Sequence, residues 1–198
     1  LLRGLTLTGP AIRITGNGLR RRDGSFQFTG TGTQGQYGPF RMALDGDISH
    51  PKLDLLFAHP ADSLGLADVA LHLDPTPQGY AYRANGGSSL GPFTSNGAVL
   101  LPAGAPATIA VAQLNVAGTR GTGALRSDPG GFTGRLAFAG GGIGGDLLFA
   151  PVGSVQQITA KLTAADAALP GALGLSVRRG ALTGTIRLDP AGASIDGS

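Results

Sequence analysis

The feature that most constrains the fold is a strict alternation of apolar and polar residues, interrupted every few positions by glycine, proline or aspartate. In residues 128–149, Leu136 and Phe138 alternate with small or polar residues, and Leu147 and Phe149 do the same after a triple glycine. A period of two is typical of a β-strand with one buried face. The segment therefore predicts a β-hairpin.

Similar alternation along the chain predicts roughly sixteen to eighteen short strands. A turn is expected at residues 16–18, where two glycines flank an asparagine. A change of parity around Ala112 and Gln113 indicates a β-bulge, which adds one residue to a strand. Residues 61–67 and 164–169 are each expected to form one helical turn.

An internal repeat organises these strands. Equivalent turns at Gly24, Gly79, Gly131 and Gly192 are separated by 55, 52 and 61 residues. A period near fifty residues with about four strands fits a repeated β-unit. The sequence therefore predicts an all-β fold: an elongated, curled antiparallel-type sheet that forms a groove, built from repeats of about 50–60 residues. Residues 1–198 are interpreted as one continuous segment of a longer protein.

Composition limits the chemistry that the chain can perform. Cysteine is absent, which removes disulfides, thiolate metal sites and cysteine nucleophiles. Glycine accounts for 35 of 198 residues and charged residues for only 14%, with a net charge of +3. Proteins that bind nucleic acids usually carry more positive charge and more stacking aromatic residues. We therefore expect no nucleic-acid partner.

Candidate catalytic and ligand-binding motifs are weak. His50 and His59 precede prolines and are interpreted as loop residues, and His72 is expected on the face opposite Leu71 and Leu73. Zinc needs three or four close ligands, and this sequence offers no such cluster. Two matches to a glycine-rich dinucleotide motif lack the helix that such binding requires. We expect no catalytic residues, no metal, no cofactor and no enzymatic activity.

The apolar positions carry the functional hypothesis. No predicted helix is long enough to cover a sheet of this size, so its apolar face must meet another sheet, fold onto itself or meet a ligand. A trough with an apolar lining would suit the acyl chains of a lipid. The predicted groove lining comprises Phe26, Phe28, Phe40, Met42, Leu71, Leu73, Val111, Leu136, Phe138, Leu147, Phe149, Ile158 and Leu162.

The sequence resembles the TamB family, within the AsmA-like group of bacterial envelope proteins. The resemblance rests on the amphipathic strands, a repeated Gly-Pro-Phe tripeptide and phrases such as residues 136–145 and 182–197. It also rests on the recurring Asp-Pro turn, found at Asp74, Asp128 and Asp189.

The resemblance implies that this chain is a β-taco segment of a longer envelope protein, which is periplasmic and anchored in the inner membrane outside this chain. Its partners would be phospholipid and an outer-membrane barrel-assembly protein. Its function would be lipid transport and outer-membrane biogenesis, within a translocation and assembly module. The alternative is a structural or adhesive passenger domain of a secreted or surface protein, built as a β-solenoid or β-sandwich.

Overall fold

The computed structural model describes residues 2–9, 12–35, 37–60, 65–153, 155–169, 175–189 and 192–197. These residues form strands, turns and bends, with no helix among them. The fifteen strands are β1 (Leu2–Gly9), β2 (Ile12–Arg20), β3 (Phe26–Gln34), β4 (Gly38–Gly46), β5 (Lys52–Phe57), β6 (Ala67–Thr76), β7 (Gly79–Ser88), β8 (Gly91–Leu100), β9 (Thr108–Val116), β10 (Thr119–Asp128), β11 (Gly131–Gly140), β12 (Ile143–Val152), β13 (Val155–Leu169), β14 (Leu175–Asp189) and β15 (Gly192–Gly197).

All fifteen strands belong to one antiparallel sheet, and their order in the sheet is their order in the sequence. Each strand pairs only with its sequence neighbours, so β1 and β15 are the two edges and the sheet is not closed. The predicted all-β, elongated and curled sheet is confirmed. Within the described part of the chain there is neither a second layer, as in a sandwich, nor the parallel coils of a solenoid.

The burial of aromatic rings shows how strongly the sheet curls. Phe28 is 3% exposed and Phe40 is 6% exposed, although no second sheet covers them. A ring on a flat single-layer sheet would keep one side open to water. Their strand neighbours Thr29 and Arg41, on the other face, are exposed. The sheet therefore curls towards the face that carries the two rings.

The repeat corresponds to units of four strands. The repeated turns precede or open β3, β7, β11 and β15, which are four strands apart. The two Gly-Pro-Phe tripeptides open β4 and β8, again four strands apart. The prediction of repeats with about four strands each is confirmed.

Several local predictions differ from the structure. Residues 164–169 belong to β13 and residues 16–18 to β2, so the helical turn and the reverse turn predicted there are wrong. Of the helical turn predicted at residues 61–67, residues 61–64 lie outside the described residues and the remainder is not helical. The strands are fewer and longer than expected, most of them nine or ten residues long.

The predicted β-bulge is confirmed. Val111 lies opposite Gly97 and Leu114 lies opposite Ser95, so β9 has two residues, Ala112 and Gln113, where β8 has one. The bulge keeps Val111 and Leu114 on the same face of the sheet. Without it, the two halves of β9 would present apolar residues to opposite faces.

Candidate functional site

The register of the strands gathers the predicted lining onto one face. One row of cross-strand partners continues from β2 to β14: Gly18, Phe28, Leu44, Leu53, Leu73, Tyr82, Gly97, Val111, Gly123, Leu136, Leu147, Ala160 and Gly184. No member of this row is charged. We call the face that carries it the apolar face and the opposite one the polar face.

The remaining predicted lining residues lie on the same face, because each is an even number of positions from a row member in its own strand. They are Phe26, Phe40, Met42, Leu71, Phe138, Phe149, Ile158 and Leu162. All thirteen predicted residues thus share the apolar face. Whether they bind a lipid stays a prediction.

Further apolar residues on this face were not in the predicted set. They include Leu44, Leu53, Leu55, Phe57 and Tyr82. The sequence shows the same alternation at these residues. Only the pairing of β5 with β4 and of β6 with β7 shows that they belong to the apolar face. Phe57 packs against Phe40 with ring centroids 5.3 Å apart.

Glycines on the apolar face lie beneath aromatic rings of the neighbouring strands. A methyl group added at Gly32 would come within 2.4 Å of the Phe40 ring, and one at Gly121 within 2.8 Å of the Phe138 ring. The rings therefore lie along the sheet, in the space that a side chain would fill, rather than standing away from it. The apolar face is therefore flatter than it would be if the rings projected from the sheet.

The polar atom of Tyr82 is satisfied within the apolar face. Its hydroxyl lies 3.1 Å from the Ser95 hydroxyl. Burial raises the pKa of Tyr82 above its ordinary value, so the phenol is neutral over the physiological range. The aromatic ring therefore adds apolar surface to the face without adding a charge.

The polar face carries cross-strand ion pairs. Arg135 and Asp146 approach to 2.7 Å between β11 and β12. His72 contacts Asp54 on β5, and its Nε2 atom lies 3.2 Å from Asp74. The placement of His72 opposite Leu71 and Leu73 is confirmed. These pairs are partly exposed to solvent, so each stabilises the fold only weakly.

The described residues contain no group of three or more histidine, aspartate or glutamate side chains placed to hold a metal ion. His50 and His59 lie in bends outside the strands, as expected for loop residues. The arrangement suits binding through apolar contact, because the apolar face brings no acid and base together.

The geometry defines a class of protein: an open, single-layer antiparallel sheet with one apolar face. Comparison with protein-family models, with curated proteins and with solved structures finds no match to this chain. The resemblance to the TamB family therefore stays a prediction. A search of the described residues for an apolar helix of membrane-spanning length finds none.

Proposed function

We propose that this chain is a segment of a non-enzymatic lipid conduit in the bacterial periplasm. Its apolar face shields phospholipid acyl chains as they move from the inner to the outer membrane. The full-length protein is anchored in the inner membrane outside this chain and acts with an outer-membrane barrel-assembly partner. The anchor, the partner and the location rest on the sequence resemblance alone.

The apolar face carries the proposal: no second layer of the described chain covers it, and its lining residues are buried or half-buried within the single sheet. The chain exposes 11853 Å² of surface. A compact protein of 19.7 kDa exposes about 8,600 Å², so this chain exposes roughly 3,000 Å² more. This excess is total surface, as expected of a single layer that has no second layer over its apolar face. No large side chain among the described residues is completely buried, which fits a single layer that something else covers.

An acyl chain must be shielded from water along its whole length. Shielding one CH₂ group from water is worth about 0.8 kcal/mol, so an acyl chain of about sixteen carbons requires on the order of 12 kcal/mol. An isolated pocket does not cover such a chain. A row of uncharged residues across thirteen strands offers continuous contact without fixed polar anchors, and this favours movement along the row.

The proposal is tested by photocrosslinking at two adjacent residues. Leu147 lies on the apolar face opposite Leu136 and Ala160, whereas Leu148 lies on the polar face opposite Arg135. A photoreactive amino acid is placed at each position in the full-length protein, in living cells. We expect phospholipid adducts from position 147 and not from position 148. Equal adducts at the two positions, or none at either, would contradict lipid binding on this face.

A charge placed on the apolar face gives a second arm of the test. Leu147→Asp is compared with Leu148→Asp, with lipid capture followed from a photoreactive group at Leu162. We expect Leu147→Asp to reduce capture strongly and Leu148→Asp to leave it unchanged. Circular dichroism is used to check that both variants keep the sheet. Unchanged capture in a folded Leu147→Asp variant would favour a structural scaffold instead.

A further inference from the structure

The polar face contains an open pocket of about 590 Å³ that extends across β2 to β6. Its lining includes Arg13, Arg41, Thr15, Thr31 and Thr33. The volume is within the range of small-molecule binding sites. We call it the polar-face pocket. Its arginine and threonine side chains belong to the polar face, although Gly32 and Phe40 of the apolar face also contribute to the lining.

The register brings two arginines to either side of β3. Arg13 of β2 lies opposite Thr33, and Arg41 of β4 lies opposite Thr31. The backbones of β2 and β4 are about 10 Å apart, because each strand spacing is about 4.8 Å, and the two arginines are also offset by two residues along the strands. Two arginine side chains can reach over β3 from both sides at this separation. The threonine hydroxyls stand between them.

Neither arginine is neutralised within the described part of the chain. Arg13 and Arg41 have no ion-pair or hydrogen-bond partner there, and neither do the side chains of Thr15, Thr31 and Thr33.

Some other charges of the polar face are paired across neighbouring strands. Asp74 lies 3.0 Å from Arg83 and 3.8 Å from Lys52. The polar-face pocket has one acidic lining residue, Asp68, against its two arginines. The pocket therefore has an excess of positive charge and free hydrogen-bond donors.

We propose that the polar-face pocket binds a phosphate oxyanion between Arg13 and Arg41. The planar guanidinium group presents paired N–H donors that match two phosphate oxygens, and the hydroxyls of Thr31 and Thr33 donate to the remaining oxygens. The ligand is a phosphate group, either free in solution or on a lipid headgroup. This inference goes beyond lipid shielding, because it assigns a ligand to the other face of the sheet.

The test is a calorimetric titration of the folded chain with inorganic phosphate. We expect saturable binding that Arg13→Ala and Arg41→Ala each weaken about tenfold or more, since each removes charged donors. Arg126→Ala is the matched control, because Arg126 lies on the polar face outside the pocket. Its affinity should equal that of the unmodified chain.

Removal of the acidic residue should have the opposite effect. Asp68 has a φ of 50°, a conformation that asparagine tolerates well. Asp68→Asn should therefore keep the fold and tighten phosphate binding several-fold, as repulsion between the carboxylate and the anion is lost.

Vesicles that contain an anionic phospholipid distinguish the two sources of phosphate. Binding of inorganic phosphate that depends on both arginines supports a soluble ligand. Vesicle cosedimentation that is lost in Arg13→Ala and Arg41→Ala but kept in Arg126→Ala supports a headgroup. If neither phosphate nor vesicle binding differs between these variants and Arg126→Ala, the proposal is wrong.

Discussion

On the apolar face, several glycines lie opposite an aromatic residue of the neighbouring strand, and the aromatic ring covers the glycine. Gly32 lies opposite Phe40, Gly97 opposite Tyr82 and Gly121 opposite Phe138. The ring covers backbone that glycine would otherwise leave open to water, an arrangement that stabilises strands rich in glycine. It explains how a chain with 35 glycines maintains a continuous sheet.

Gly32→Ala should destabilise the fold by about 1–3 kcal/mol, because the added methyl group would press against the Phe40 ring and against the Arg13 carbonyl oxygen, 2.9 Å away. Chemical denaturation measures the free energy of unfolding. Gly35→Ala is the control, since nothing lies within 4 Å of a methyl group at that position. Its stability should change by less than about 0.5 kcal/mol.

A double-mutant cycle with Phe40→Leu identifies the cause. If the Phe40 ring is responsible, Gly32→Ala should cost less in the Phe40→Leu background than in the unmodified chain. Additive effects would show that the clash with the ring is not the reason for the loss.

The residues of the apolar face were largely predictable, whereas those of the polar-face pocket were not. Leu136 and Leu147 alternate with polar residues within one stretch of sequence, so their common face is a local property. Arg13 and Arg41 belong to different strands, and only the register across β3 brings them to one pocket. Alternation assigns a face but does not fix which residues lie opposite one another.

At the scale of elements, strands with a clear alternation of apolar and polar residues were predictable from the sequence. Strand segments rich in alanine or glycine were not, and they were predicted as turns instead. Residues 164–169 are rich in alanine, which favours helices in isolation. In the structure they extend β13 along β14, where pairing outweighs this preference. Residues 16–18 have the composition of a turn, but rings from β3 cover Gly16 and Gly18 and stabilise them in a strand.

Single-residue deletions should separate the bulged strand from a regular one. Removal of Gln113 would convert the bulge into regular strand and leave Val111 and Leu114 on the apolar face. Removal of Ala137 would shift the residues on one side of the deletion by one position in the register of β11. Either Leu136 or Phe138 would then lie on the polar face. We expect the first variant to fold with a small loss of stability and the second to unfold or aggregate.

Thermal unfolding monitored by circular dichroism compares the two deletions. The Ala137 deletion should lower the melting temperature far more than the Gln113 deletion. An equal fall in melting temperature would show that the bulge itself is needed for strand pairing. Its role would then not be limited to keeping the apolar residues of β9 on one face.

At the scale of the whole molecule, the single-layer sheet sets the shape. Fifteen strands at about 4.8 Å each give a length of about 70 Å, with a width of about 30 Å for strands of nine or ten residues. Small-angle scattering should therefore give a radius of gyration above about 20 Å. A compact chain of this length would give about 16 Å. A value near the compact figure would contradict an extended sheet.

The strictly sequential strand order also determines how such a sheet assembles. Every pairing joins segments that are adjacent in the chain, so each hairpin can form on the previous one without waiting for distant residues. Stability then accumulates strand by strand, as in repeat proteins with nearest-neighbour coupling. Loss of structure should begin at β1 and β15, which have one neighbour each, and hydrogen exchange should slow progressively towards the central strands.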